Sequence, residues 1–182
     1  MQLIPRRILL VGVLLLGLTW TWFSRLGTAE TTAGRVPAPQ TGFLAPDFTL
    51  ETLEGQTVTL SSLRGQPVII NFWASWCPPC RAEMPAFQAV YEEYQGRISL
   101  LSVNTAYQDN LSDALALLAE KGATFPILLD TDGAVSRLYA IISLPTTFFI
   151  GADGVIAEVV VGGPMTEAGL RARIESLLEA RP

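Results

Sequence analysis

The period of hydrophobic and polar positions changes several times along the chain. Ile8–Phe23 (ILLVGVLLLGLTWTWF) is a sixteen-residue block with no charge. It suits a membrane anchor or a signal peptide and no water-facing surface. Thr28–Gly42 has no period; rich in Thr, Ala, Gly and Pro, it reads as a linker. From Phe43 the pattern is that of a folded domain. Phe48–Thr52 and Thr57–Leu60 are β-type runs around Leu53-Glu54-Gly55-Gln56 and predict a hairpin. Pro67–Trp73 is a nearly continuous apolar, β-branched run, as in a strand buried on both faces. A helix from Cys80 to about Tyr94 follows, then a second buried strand, Ile98–Asn104. Leu111–Lys121 has helical period, with Asn110 or Ser112 as its cap. Phe125–Asp130 reads as a third strand and Asp132–Tyr139 as a short helix. Thr146–Ile150 and Val155–Val161 flank the turn Ala152-Asp153-Gly154, a hairpin signal, and Glu167–Ala180 is a final helix. This order predicts an α/β domain with a sheet parallel in part and an antiparallel edge pair.

The expected organisation is an N-terminal membrane segment at 1–27, a linker at 28–42 and one domain at 43–182. Arg6 and Arg7 precede the apolar block, so the rest of the chain is expected outside the cytoplasm. Sixteen residues fall short of the roughly 20 that span a bilayer. Gly27-Thr28-Ala29 would suit a cleavage site. Trp20, Trp22 and Phe23 favour an uncleaved anchor, since they fit an interfacial aromatic belt and are bulky for a cleavage region.

Composition removes several chemistries. The 182 residues contain no histidine, which excludes Ser-His-Asp and Cys-His nucleophiles, Cys2His2 zinc and His-ligated copper. After residue 36 there are 8 basic and 16 acidic residues, a net charge of −8. A phosphate backbone would be repelled, so nucleic acid is not an expected partner.

The two cysteines, Cys77 and Cys80, are too few for a disulfide scaffold or an ordinary zinc site. They lie where a strand meets a helix, in Trp76-Cys77-Pro78-Pro79-Cys80-Arg81. Residues i and i+3 at a helix start share a face, so the sulfurs can bond without moving the backbone. Cys77, at the helix N-terminus, is the expected nucleophile, because free N–H groups and the dipole stabilise a thiolate there. Cys80, one turn on, is the expected resolving thiol. Pro78 and Pro79 remove two of those N–H groups. A moderate lowering of the Cys77 pKa and a reducing pair are therefore expected. A structural bridge closing so short a loop would add little stability.

The run Asn71-Phe72-Trp73-Ala74-Ser75-Trp76-Cys77-Pro78-Pro79-Cys80-Arg81-Ala82-Glu83-Met84-Pro85 resembles the active-site segment of the thioredoxin superfamily. More narrowly it resembles the membrane-anchored TlpA/ResA-type thiol–disulfide oxidoreductases. Ala45-Pro46-Asp47-Phe48-Thr49-Leu50 is similar to that group's opening strand. Leu144-Pro145-Thr146-Thr147-Phe148-Phe149-Ile150 is similar to its cis-proline strand. The resemblance implies a thioredoxin-like fold: a central mixed sheet flanked by helices, an N-terminal β-hairpin and a central α/β insertion at Asn104–Asp130. It implies a cis Pro145 beside the cysteines, where the backbone would pair with an extended substrate. Trp76, Leu144 and Pro145 are the expected substrate-binding residues. Glu83 lies on the face of Cys80, and with no histidine available a partly desolvated carboxylate is the expected proton acceptor, as in the subgroup. Asn71 stands where cytoplasmic-type thioredoxins carry a buried aspartate, which shifts the burden to Glu83.

The implied activity is reduction of disulfides in exported proteins, apocytochrome c among them, with a membrane thiol-transfer protein as electron donor. No metal or cofactor is expected. The alternatives are an oxidase or isomerase of exported proteins and a non-catalytic or copper-related binding module. A peroxiredoxin shares the opening Ala-Pro-Asp-Phe, but Ala74 stands where its peroxidatic site wants threonine.

Overall fold

The computed structural model describes residues 36–180. Ile8–Phe23 and the first residues of the linker lie outside them, and with them the anchor and cleavage-site readings. Among the described residues no helix is long and apolar enough to cross a membrane.

The elements follow in the expected order: β1 Thr49–Thr52, β2 Thr57–Thr59, β3 Val68–Trp73, α1 Pro78–Glu93, β4 Ser99–Asn104, α2 Leu111–Lys121, β5 Ile127–Leu129, α3 Ala134–Leu138, β6 Thr146–Ile150, β7 Ile156–Val161 and α4 Glu167–Glu179. They form one seven-stranded sheet in the order β2-β1-β5-β4-β3-β6-β7. The pairs β3–β4 and β4–β5 are parallel and the other four antiparallel. The sheet is thus mixed, with a hairpin at each edge. β5, from the central insertion, lies between β4 and β1 and so carries the N-terminal hairpin on the main sheet.

All six residues of β3 are buried. Period-two alternation sends them to opposite faces. Val68, Ile70 and Phe72 join Phe48, Tyr139 and Phe148 in one core. Ile69 and Trp73 join Phe87 and Val90 of α1, Leu117 of α2, Ile174 of α4 and both cysteines in the other. Each large side chain so buried stabilises the fold by roughly 1.5–3 kcal/mol.

One helix start differs from the sequence reading, and one of its alternatives is decided. α1 starts at Pro78, because the prolines take its first two positions, where a missing N–H matters least. Asn110, not Ser112, caps α2, its side-chain oxygen accepting from the Ser112 and Asp113 N–H groups. Pro85 lies within α1, which runs on to Glu93. Ahead of β1 the backbone is already held: the Ala38 N–H donates to the Leu44 carbonyl and the Gly42 N–H to the Ile156 carbonyl.

Candidate active site

β3 ends at Trp73, and Ala74-Ser75-Trp76 turns the chain into α1. Cys77 is the N-cap of that helix, with φ −87° and ψ 108°. Its sulfur accepts the Cys80 N–H at 3.3 Å. The Arg81 N–H donates instead to the Cys77 carbonyl, at 3.1 Å. With Pro78 and Pro79 lacking donors, Cys80 supplies the N–H of the first turn that reaches the sulfur. Cys77 and Cys80 are joined as a disulfide with Cα atoms 5.3 Å apart. The bridge is largely covered, Cys77 keeping 3% of its surface. Leu144 and Met165 are among the side chains packed against the cluster that holds it.

A polar clamp fixes the segment before the cysteines. The Asp109 carboxylate accepts the Ser75 N–H at 2.7 Å, the Ser75 hydroxyl and the Asn104 amide. The Trp76 indole N–H donates to the Gln108 carbonyl at 3.1 Å. That bond holds the ring by its edge while 56% of the residue stays open to solvent. Trp76 is therefore no core residue. Arg81 lies half-exposed in an ion pair with Glu120 at 3.2 Å. Its charge is committed there, and such an exposed pair contributes little to stability.

Glu83 is one turn beyond Cys80 on the buried face of α1, 1% exposed. Both carboxylate oxygens accept hydrogen bonds. Asn71 Nδ2 donates to Oε1 at 3.0 Å, and the Met165 N–H donates to Oε2 at 3.1 Å. Asn71 Nδ2 also donates to Thr147 Oγ1 at 3.0 Å. Asn71 and Thr147 are register partners on β3 and β6, so their side chains share a face and meet. Burial pushes the Glu83 carboxyl up to about 7, against the opposing pull of the Met165 and Asn71 hydrogen bonds. A carboxyl poised there can take or give a proton near neutral pH.

The Leu144–Pro145 bond is cis, as the resemblance implies, and opens β6. A second cis bond, Gly163–Pro164, was not foreseen. It belongs to the β7–α4 loop, which folds back on the site. The Gly162 N–H donates to the Pro145 carbonyl at 2.8 Å. Gly162 has φ +88°, a conformation other residues rarely adopt.

The site thus gathers Trp76, Cys77, Cys80, Glu83, Leu144 and Pro145 around one helix start and one strand start. Sequence reading missed Asp109, Gly163 and Met165, and it singled out Asn71 without naming its partner. Asp109 stands directly before Asn110, the cap of α2, and passes for part of that cap. Gly162-Gly163-Pro164 signals a turn, but nothing in the chain shows that this turn meets Glu83, eighty-two residues from Met165. Among the described residues no group of three His, Cys, Asp or Glu side chains is arranged to hold a metal.

A disulfide at a helix N-terminus, with the residue before a cis proline packed against its cluster, can do one kind of chemistry directly, thiol–disulfide exchange. Known proteins agree. The model of the AhpC/TSA family matches residues 41–159. The thiol–disulfide oxidoreductase ResA of Geobacillus thermodenitrificans is 35% identical over 97% of this chain and 96% of its own. Sporulation thiol–disulfide oxidoreductase A of Bacillus subtilis is 33% identical over 93% of this chain and 97% of its own. The crystal structure of StoA from Bacillus subtilis superposes with a TM-score of 0.63 at 34% identity, over 70% of this chain and 96% of that one. A secreted Mycobacterium tuberculosis disulfide oxidoreductase, homologous to Escherichia coli DsbE, does so with a TM-score of 0.65 at 27% identity, over 71% and 95%. The chain belongs to the AhpC/TSA family, and within it to the thioredoxin-like thiol–disulfide oxidoreductases of the ResA and StoA type.

Proposed function

We propose that this oxidoreductase reduces disulfides in exported proteins from the outer side of the cytoplasmic membrane, tethered there by Ile8–Phe23. The observation that carries the reading is the Cys77–Cys80 disulfide at the start of α1 with the buried Glu83 one turn on. In the reduced enzyme the Cys77 thiolate attacks one sulfur of a substrate disulfide. A mixed disulfide forms and one substrate thiolate leaves. Glu83 then takes the proton of Cys80, whose thiolate attacks the Cys77 sulfur. The second substrate thiolate leaves and the Cys77–Cys80 disulfide is restored. Two electrons pass to the substrate, and a membrane dithiol donor returns the enzyme to its reduced state.

Trp76, Leu144 and Pro145 bind the segment of substrate that carries the disulfide. With the Pro145 carbonyl taken by Gly162, an extended peptide would pair with the backbone of Leu144. The resemblance implies the haem-attachment cysteines of apocytochrome c as a substrate. The Pro-Pro insert supports the direction, since it leaves the Cys77 thiolate few backbone donors.

Two measurements test the reading. The reduction potential of the pair is expected near −270 mV; a value near −120 mV would make the protein an oxidant. The Cys80→Ser variant is expected to accumulate a mixed disulfide with exported thiol proteins through Cys77, and capture of cytoplasmic proteins only would refute the location.

A further inference from the structure

The β7–α4 loop touches both halves of the site. Gly162 holds the Pro145 carbonyl. Gly163 follows with no side chain, and a methyl group there would stand 2.8 Å from Glu83 Oε2 and 2.8 Å from Pro145 Cγ. Real Cβ atoms do not come so close, so one neighbour would have to give way. Two residues later the Met165 N–H sits on the same Oε2. From the opposite side Asn71 holds Oε1, and Thr147 takes the other hydrogen of its amide. The carboxylate is gripped between two fixed donors on separate elements. Both hydrogens of the Asn71 amide are committed, so it has no freedom to turn away.

We propose that Asn71 and the Gly163–Met165 backbone are positioning residues for Glu83, and that glycine at 163 is required for the room it leaves between Glu83 and Pro145. The clamp rests on the reading of Glu83 as the proton acceptor for Cys80, and adds how that acceptor is held and what sets its working range. The groups around Glu83 are Asn71 on β3, Gly163 and Met165 from the β7–α4 loop with Pro145 beside that glycine, and Cys80 one turn back on the same helix. In the oxidised protein the two sulfurs are bound to each other and do not titrate, and no charged side chain contributes to the shift of the carboxyl. The two donors favour the ionised form, so removing either leaves burial less opposed.

The test is the titration of Glu83, followed by carboxyl 13C NMR in the oxidised protein, for the parent, Asn71→Ala and Gly163→Ala. Both variants are expected to move the midpoint upward by about one pH unit, the scale of one lost hydrogen bond to a charged group. Their exchange rate at pH 7 falls roughly three- to tenfold and recovers at higher pH, because the profile moves rather than sinks. The two variants reach the carboxylate from opposite sides, so one that fails to fold leaves the other. Folded variants whose Glu83 titrates with the parent overturn the proposal. The role of Glu83 is read separately. If Glu83→Gln exchanges as fast as the parent, that role falls, while a displaced titration would still report the clamp.

Discussion

At the scale of single residues, Glu83 links the chemistry to stability. Its folded carboxyl is raised from 4.5 to about 7, so between those values the folded chain binds more protons than the unfolded one. The linkage then has one sign. The contribution of Glu83 to stability is present below about pH 4.5 and is lost as pH rises through 7. The difference is on the order of 3 kcal/mol. Denaturant unfolding of the oxidised protein at pH 5 and pH 8 is expected to show it as a loss of stability at the higher pH. Glu83→Gln should flatten that part of the profile; an unchanged slope would mean that another group carries it. Trp76 has the opposite character. Its ring is exposed and held by one hydrogen bond. Trp76→Ala is expected to change stability by no more than about 1 kcal/mol. For a protein disulfide substrate, kcat/KM should fall about tenfold. The rate with a small disulfide should stay close to the parent's, and an equal loss with both substrates would count against a docking role. The placement of Cys77, Cys80 and Glu83 along the start of one helix was legible because it depends on local helix spacing. Asn71 could be seen as polar in an apolar strand, but its donation to Glu83 depends on how β3 and α1 are stacked.

Among the elements, the loop between β4 and α2 does more than connect them. Its Asp109 side chain ties Ser75 to Asn104 and so holds the turn that presents Cys77. Asp109→Ala removes the acceptor for three donors, and Ser75 and Asn104 are buried. Unsatisfied buried donors cost about 1–3 kcal/mol. The variant is expected to lose roughly that stability and to exchange the Ser75 amide proton faster, while the helices keep their protection. Protection lost uniformly would instead mark Asp109 as an ordinary stabilising residue. Strands and helices were readable from period alone, because β3 is buried on both faces and α2 has an apolar stripe with a capping Asn110. The place of β5 was not readable. It has three residues, and nothing in Ile127–Leu129 says that it pairs with β4 on one side and β1 on the other. Nor could the sequence show that the β7–α4 turn closes over α1. Sheet neighbours and loop closures are set by packing between distant segments, and a local pattern carries none of that.

For the whole molecule, the question is which redox form the fold prefers. The oxidised and reduced chains form a thermodynamic cycle with their unfolded states, so the potential of the folded pair follows the difference in stability between the two forms. Each 1.4 kcal/mol corresponds to about 30 mV. The bridge closes a loop too short to constrain the unfolded chain strongly, so the difference arises mainly in the folded state. There the reduced form gains little. Pro78 and Pro79 offer the Cys77 thiolate no N–H, and the Cys80 N–H is the donor on that sulfur. Glu83 lies on the same buried face, and once ionised it opposes a second negative charge near it. The oxidised form meanwhile packs its sulfurs into a cluster with Trp73, Met84 and Phe87. Oxidised protein is therefore expected to unfold at higher denaturant than protein held in excess reductant. The gap should widen as pH rises through 7 and the carboxylate forms. Paired unfolding curves at pH 6 and pH 8, with and without reductant, measure both. A reduced form more stable than the oxidised one would make this an oxidising pair and reverse the direction of electron flow proposed above.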